Sequence, residues 1–285
     1  MRWAWLALLA IGLGLLAAVN LYLVGRSLAL IGEGAPAVDW QQIVEAGRRV
    51  HEGSLYAVDG TYAFPYSPLL AYLAGPLSWL GTVGWRALHV VAALALPSWP
   101  MRLVALAAWP FWFDVETGNL LILVVLAAAW AIRGSRVGVA SYFLLTILVP
   151  RPLMLPVAAW LLWKRPEWRV PFAALLVAAF VAVLASGWGD EWLGFLTSIS
   201  GQFDSPNNLG PTRLIGAAWL VVGIPLAAWL TWRGRLGFAS VAISYPYLLP
   251  YYLLMLVLEL SGGEAVQDST HPGRRASVMT SQTNE

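Results

Sequence analysis

The chain has 285 residues, 59% of them hydrophobic and only 11% charged, with a mean hydropathy of +0.69. A soluble domain carries about 25% charged residues to face water, so the composition argues against a soluble fold and for an all-α polytopic membrane protein. The net charge of +2 gives no reason to expect a nucleic-acid partner, the absence of cysteine excludes disulfides and thiolate metal sites, and the three histidines are too scattered for a metal site.

In chain order, an apolar run at 3–24 follows Met1-Arg2 and is too long for the core of a signal peptide, so it reads as a retained first helix. Further apolar runs occupy 67–83, 87–113, 117–132, 137–150, 152–163, 170–187, 213–232 and 237–260. Together they predict about 8–10 membrane helices in one domain over 1–260, followed by a polar, disordered tail over 261–285. Pro97, Pro100 and Arg102 interrupt the third run, which is then one broken helix or two short ones. The runs 137–150 and 152–163 are short for a ~30 Å core and meet at Pro150-Arg151-Pro152, a pattern of half-helices around a cavity. The 17 tryptophans suit a protein with many membrane interfaces.

Charge sets the predicted orientation. Arg133 and Arg136, then Lys164, Arg165 and Arg169, then Arg233 and Arg235 occupy three short loops, and Arg2 and Arg86 are assigned to the same side. Glu167 is the acid among them. By the positive-inside rule that side and the N-terminus are cytoplasmic. Asp39, Glu45, Asp114, Glu116, Asp190, Glu191 and Asp204 fall in the alternate segments, on the outer face. Two long outer loops result, 25–66 and 188–212, longer than joining helices requires.

In the first outer loop, Trp40, Ile43, Val44, Gly47 and Val50 recur at helical spacing, opposite Glu45, Arg48, Arg49 and Glu52. An amphipathic helix lying along the membrane surface and ending at Gly53 is expected. Asp39-x-x-Gln42 reads as a capping box, although one carboxylate oxygen can cap while the other faces a substrate. Tyr56 and Tyr66 are either interface aromatics or substrate contacts. Asp114 and Glu116, two apart beside Gly118-Asn119, are either solvated loop carboxylates or groups for acceptor hydroxyls or a divalent cation, and Asp190-Glu191 carries the same pair of readings. Arg151 is costly between two apolar runs, so it is either a functional cation or one that snorkels to the interface or pairs with Asp114 or Glu116. Asn207 and Asn208, before Gly210-Pro211, fit turn chemistry as well as sugar contacts. Arg213 is a second, weaker cation candidate that also fits a helix end, and Tyr247, Tyr251 and Tyr252 read as packing residues.

The composite of Asp39, a surface helix, Gly53-Ser54-Leu55-Tyr56 and Tyr66-Ser67-Pro68 resembles the first outer loop of the GT-C superfamily of polytopic glycosyltransferases, and within it glycosyltransferase family 87. Gly118-Asn119 resembles that family's Gly-Gln, Arg151-Pro152 stands where Lys-Pro is usual, Asn207-Asn208 resembles an Asn-x-Ser element, and Ser244-Tyr245-Pro246-Tyr247 resembles a late Ser-Pro-Tyr element. The resemblance spans about residues 1–260.

It implies transfer of a hexose, mannose above all, from a polyprenyl-phosphate donor to a glycan or lipid acceptor at the outer face of the cell membrane. Asp39 would be the general base. Arg151 and Arg213 would bind the donor phosphate, and Tyr56, Tyr66, Asp114, Glu116, Asn119, Asn207 and Asn208 would bind substrate. No metal site and no organic cofactor are predicted, a divalent cation staying open, and oligomeric state is unspecified. No glycine-rich phosphate loop supports a nucleotide-sugar donor. The alternatives are a noncatalytic relative that binds a lipid-linked sugar, and a transporter or flippase. Polar groups gathered at one face, without an inverted repeat, argue against transport.

Overall fold

The computed structural model describes residues 2–56, 64–199, 208–245 and 247–261, and every regular element among them is helical. Asn207, Pro246 and the tail beyond residue 261 lie outside the described residues. Helix α1 spans Arg2–Gly32, α2 Val38–Glu52, α3 Pro68–Leu77, α4 Gly81–Leu94, α5 Trp99–Ala107 and α6 Trp109–Thr117. They are followed by α7 Leu121–Ile132, α8 Arg136–Leu148, α9 Leu155–Lys164, α10 Arg169–Ala185, α11 Gly189–Ile199, α12 Thr212–Ile215, α13 Leu220–Trp232 and α14 Leu236–Ala242. A 3₁₀ helix, Pro250–Ser261, closes the fold.

Three stretches are long and apolar enough to cross a membrane: Leu8–Gly32, Pro166–Ala185 and Thr212–Trp232. They leave their side chains outside the protein's own core, with Leu16 66%, Phe180 64% and Val221 77% exposed. Apolar surface on that scale is compatible with a lipid surround. The other expected spans are shorter helices that pack on one another. Helix α7 is apolar all round and has nine of its twelve residues buried, which makes it a core helix.

Breaks fall where backbone chemistry puts them. The expected run 87–113 becomes α4, α5 and most of α6, because Pro97, Pro100 and Pro110 cannot continue a helical ladder. Arg102 Nε donates to Leu96 O at the first break (2.7 Å). At the second, Asn20 on α1 donates to Ala107 O (2.9 Å) and accepts from Trp109 N (2.8 Å). One amide side chain thus satisfies both backbone groups that the break exposes. The last expected run, 237–260, divides into α14 and the 3₁₀ helix. In the latter, rows spaced by three residues (251/254/257 and 252/255/258/261) are buried, which matches three residues per turn.

Helix α2 forms where the sequence predicts it and stops at Gly53, whose φ is 74°. Its apolar face packs on the protein: Gly47 brings it backbone-close to Ala74 and Gly75 of α3, and Trp40 stacks on Trp85 of α4 at 4.1 Å. One expectation about it is corrected: Asp39 is not a cap, because the helix begins at Val38 and no side chain caps it.

The ends of α7 define two faces. At its C-terminus, the loops 132–136, 164–169 and 232–236 converge, bringing Arg133, Arg136, Lys164, Arg165, Arg169, Arg233 and Arg235 to one end. Arg86 does not belong with them. It donates to Ala35 O (2.7 Å), Glu116 O (3.0 Å) and Val115 O (3.3 Å), at the other end of the bundle, where it fastens the segment leading into Asp39.

Candidate active site

At the N-terminal end of α7, four of the sequence candidates meet. Gly118 ends α6 with φ 73°, a conformation that favours glycine, and a Cβ there would lie 2.8 Å from Trp40 Cβ. The turn delivers Asn119, which is buried and whose Nδ2 donates to Asp39 Oδ2 (2.7 Å) and to the Tyr66 hydroxyl (3.3 Å). Arg151, between α8 and α9, lies with its guanidinium 5.2 Å from the Tyr66 ring centre and 5.5 Å from that of Tyr252, and it donates to the Tyr252 hydroxyl. Beside it, between Asn119 and Tyr252, is a cavity of about 10 Å³, room for about one water.

Electrostatics suit proton chemistry at Asp39. The side chain is partly exposed, and burial raises its carboxyl above the ordinary aspartate range, against the Asn119 hydrogen bond and the Arg151 charge, which lower it. Burial pushes the Tyr66 phenol up to about 12, so it stays protonated near neutral pH.

Beneath Asn119 runs a buried polar chain. His89 Nε2 lies 2.5 Å from Asn119 O and Nδ1 2.8 Å from Trp85 O, and Trp85 Nε1 donates to Gly118 O (2.8 Å). Each ring nitrogen faces a carbonyl oxygen, so whichever nitrogen carries the proton of the neutral ring donates to its carbonyl. Asp114 Oδ2, 3.7 Å from His89 Nε2, accepts from Ile122 N (3.1 Å).

Asp114 is fully buried, so neither the solvated-loop reading nor direct contact with an acceptor holds for it. Its sequence neighbour Glu116 faces elsewhere and accepts from Ser27 of α1 (2.6 Å). Tyr56 sits behind the site: its hydroxyl donates to Tyr66 O (3.0 Å), and its ring packs with Phe64, Trp188 and Phe195, tying the second long loop to the first. Asn208 is buried, with Oδ1 accepting from Gly210 N (2.9 Å) and Leu248 N (3.0 Å) and Nδ2 donating to Thr212 (3.1 Å), which is turn chemistry. Arg213 is exposed on α12, and among the described residues no hydrogen bond or ion pair joins it to the Asp39 cluster. Tyr252, read from sequence as packing, belongs to the site. His89 is a further residue that sequence reasoning missed, and Arg86 one that it placed on the basic side; an ionisable group within or beside an apolar run was the available signal. Among the described residues no three His, Asp or Glu side chains gather to hold a metal ion.

Comparison of the chain with protein-family models, with curated proteins and with solved structures gives no match.

Proposed function

We propose that the chain is a polytopic membrane glycosyltransferase that moves a hexose, mannose above all, from a polyprenyl-phosphate donor to an acceptor hydroxyl on the outer side of the membrane. The observation that carries this reading is the gathering of Asp39 and Arg151, distant in sequence, around Asn119 and Tyr66. A transferase needs that pair of charges. Asp39 takes the proton of the acceptor hydroxyl as its oxygen attacks the anomeric carbon. The bond from that carbon to the phosphate oxygen breaks, and the lipid phosphate leaves with the bonding electrons. Arg151, oriented by Tyr66 and Tyr252, stabilises the charge on the departing phosphate. Asn119 fixes the carboxylate, and burial raises its proton affinity above that of an ordinary aspartate, which favours proton uptake from the acceptor.

Membrane insertion and orientation belong to the same proposal. Helix α7 is ~18 Å long at 1.5 Å per residue, so the site lies recessed in the membrane if the basic end marks the inner interface. The test is sugar transfer by full-length protein in nanodiscs, supplied with polyprenyl-phosphate mannose and a panel of acceptors. Asp39→Asn is expected to lower turnover roughly a hundred- to ten-thousandfold while leaving donor binding in place. Wild-type protein that binds donor without transfer would favour the noncatalytic relative. Absence of both would refute the donor assignment.

A further inference from the structure

Toward the basic end of the bundle, two adjoining spaces have opposite character. The first is an apolar groove of about 410 Å³ between α9, α13 and α14, lined by Leu155, Ala159, Ile224, Ala228, Thr231 and Ile243. Trp163 and Trp232 also line it. The second is a polar cleft of about 330 Å³ that shares Trp232 with the groove and is lined by Lys164, Arg233, Arg235 and Glu259. Where the two join, each aromatic is followed in sequence by a cation. Lys164 Nζ lies 4.2 Å from the Trp163 ring centre, and the Arg233 guanidinium 5.2 Å from that of Trp232.

Glu259 pairs with Arg235 (3.1 Å), which neutralises one of the three cations. Among the described residues, Lys164 and Arg233 form no ion pair. Among the described residues the cleft therefore carries two positive charges with no acidic partner at the mouth of an apolar groove, and indole rings mark the boundary between polar and apolar, as at a membrane interface. Helix α13, which forms one wall of the groove, belongs to one of the three stretches apolar enough to span a bilayer.

We propose that this end of the molecule is a binding site for an anionic phospholipid, with the headgroup phosphate between Lys164 and Arg233 and an acyl chain in the groove. Charge selects the phosphate, since basic pockets between membrane helices favour anionic headgroups. The groove selects a lipid over free phosphate, because only a lipid buries the groove's apolar wall. The site rests on the chain residing in a bilayer and not on sugar transfer, so an inactive wild type in the transfer assay leaves it standing.

The test is native mass spectrometry of the full chain, delipidated in detergent and titrated with phosphatidylglycerol, phosphatidylcholine and inorganic phosphate. Wild type is expected to take up phosphatidylglycerol in preference to phosphatidylcholine. Lys164→Gln with Arg233→Gln should weaken phosphatidylglycerol binding on the order of fivefold per charge and leave phosphatidylcholine unchanged. Ala228→Trp, at an exposed groove position, should weaken both lipids by filling the groove. Each of these side chains is on the surface, so the variants keep the wild-type helix content. Arg136→Gln removes the same charge outside the cleft and should leave binding unchanged. Equal uptake of the two lipids by wild type would overturn the proposal, as would a loss in Arg136→Gln equal, charge for charge, to that in the cleft variant. Inorganic phosphate bound as tightly as phosphatidylglycerol would make this a free-anion site and overturn the lipid assignment.

Discussion

Asn119 makes three kinds of contact at once: its Nδ2 holds Asp39 and reaches Tyr66, its Oδ1 accepts from Leu120 N (2.8 Å), and its backbone oxygen meets His89. Its effect on Asp39 has a definite sign. A hydrogen bond donated to a carboxylate favours the ionised form and lowers its pKa, so Asn119 opposes the rise that burial imposes. A base works only when ionised, and turnover therefore falls as pH drops through the Asp39 pKa. Asn119→Ala removes the lowering influence, and the acid limb of the pH–rate profile is expected to move to higher pH. Measuring transfer across pH in wild type and variant checks it; an unmoved limb would mean that another group controls that limb.

At the scale of elements, two contacts hold helices that their own sequences would leave disconnected. Asn20 joins α1 to the break between α5 and α6 by two hydrogen bonds. Asn20→Ala leaves both backbone groups without that partner, and loss of detergent-solubilised stability of about 1–3 kcal/mol is expected, read as a lower thermal transition. Gly118 lets α6 turn into α7 beneath Trp40. An alanine there meets both a positive φ and a Cβ 2.8 Å from Trp40 Cβ, so Gly118→Ala should cost about 1–3 kcal/mol. It should also displace Asn119, lowering transfer more than the stability change alone explains. A thermal transition equal to wild type would show that the turn relaxes without strain.

The whole molecule separates its charge by end. Asp39, Arg86 and Arg151 stand at one end of α7, and the arginines and lysine of three loops stand at the other. The chain has no cysteine, so single cysteines report accessibility without a background. In the proposed orientation, Glu33→Cys at the exposed end of the first span reacts with a membrane-impermeant maleimide on intact cells. Arg136→Cys, exposed at the basic end, reacts only after permeabilisation. The reverse pattern would place the Asp39 site on the inner side and remove the outer-face acceptor from the proposal.

Helical character, the break at Pro97–Pro100, the helix after Asp39 and its stop at Gly53 were legible in the sequence, because periodicity and backbone restriction are local; the break before Pro110 and the division of 237–260 were not. The polar chain at the site was legible only as isolated candidates: Asp39, Tyr66, Asn119 and Arg151 could be picked out, but not Tyr252 or His89 as their partners. Which apolar helices face the outside was not legible either, since a mostly buried helix such as α7 and an exposed one such as α10 are both built mainly of Ala, Leu and Val with an aromatic residue. Arg86 shows the same limit, because its charge suggested the basic face while its carbonyl partners hold it beside Asp39. Composition by itself determined that this chain is apolar and helical. Tertiary packing decided which polar groups meet, because the hydrogen bonds that join Asn119 to Asp39 and Tyr66, and Arg151 to Tyr252, link segments far apart in sequence and depend on the turns and close glycine contacts that bring them together.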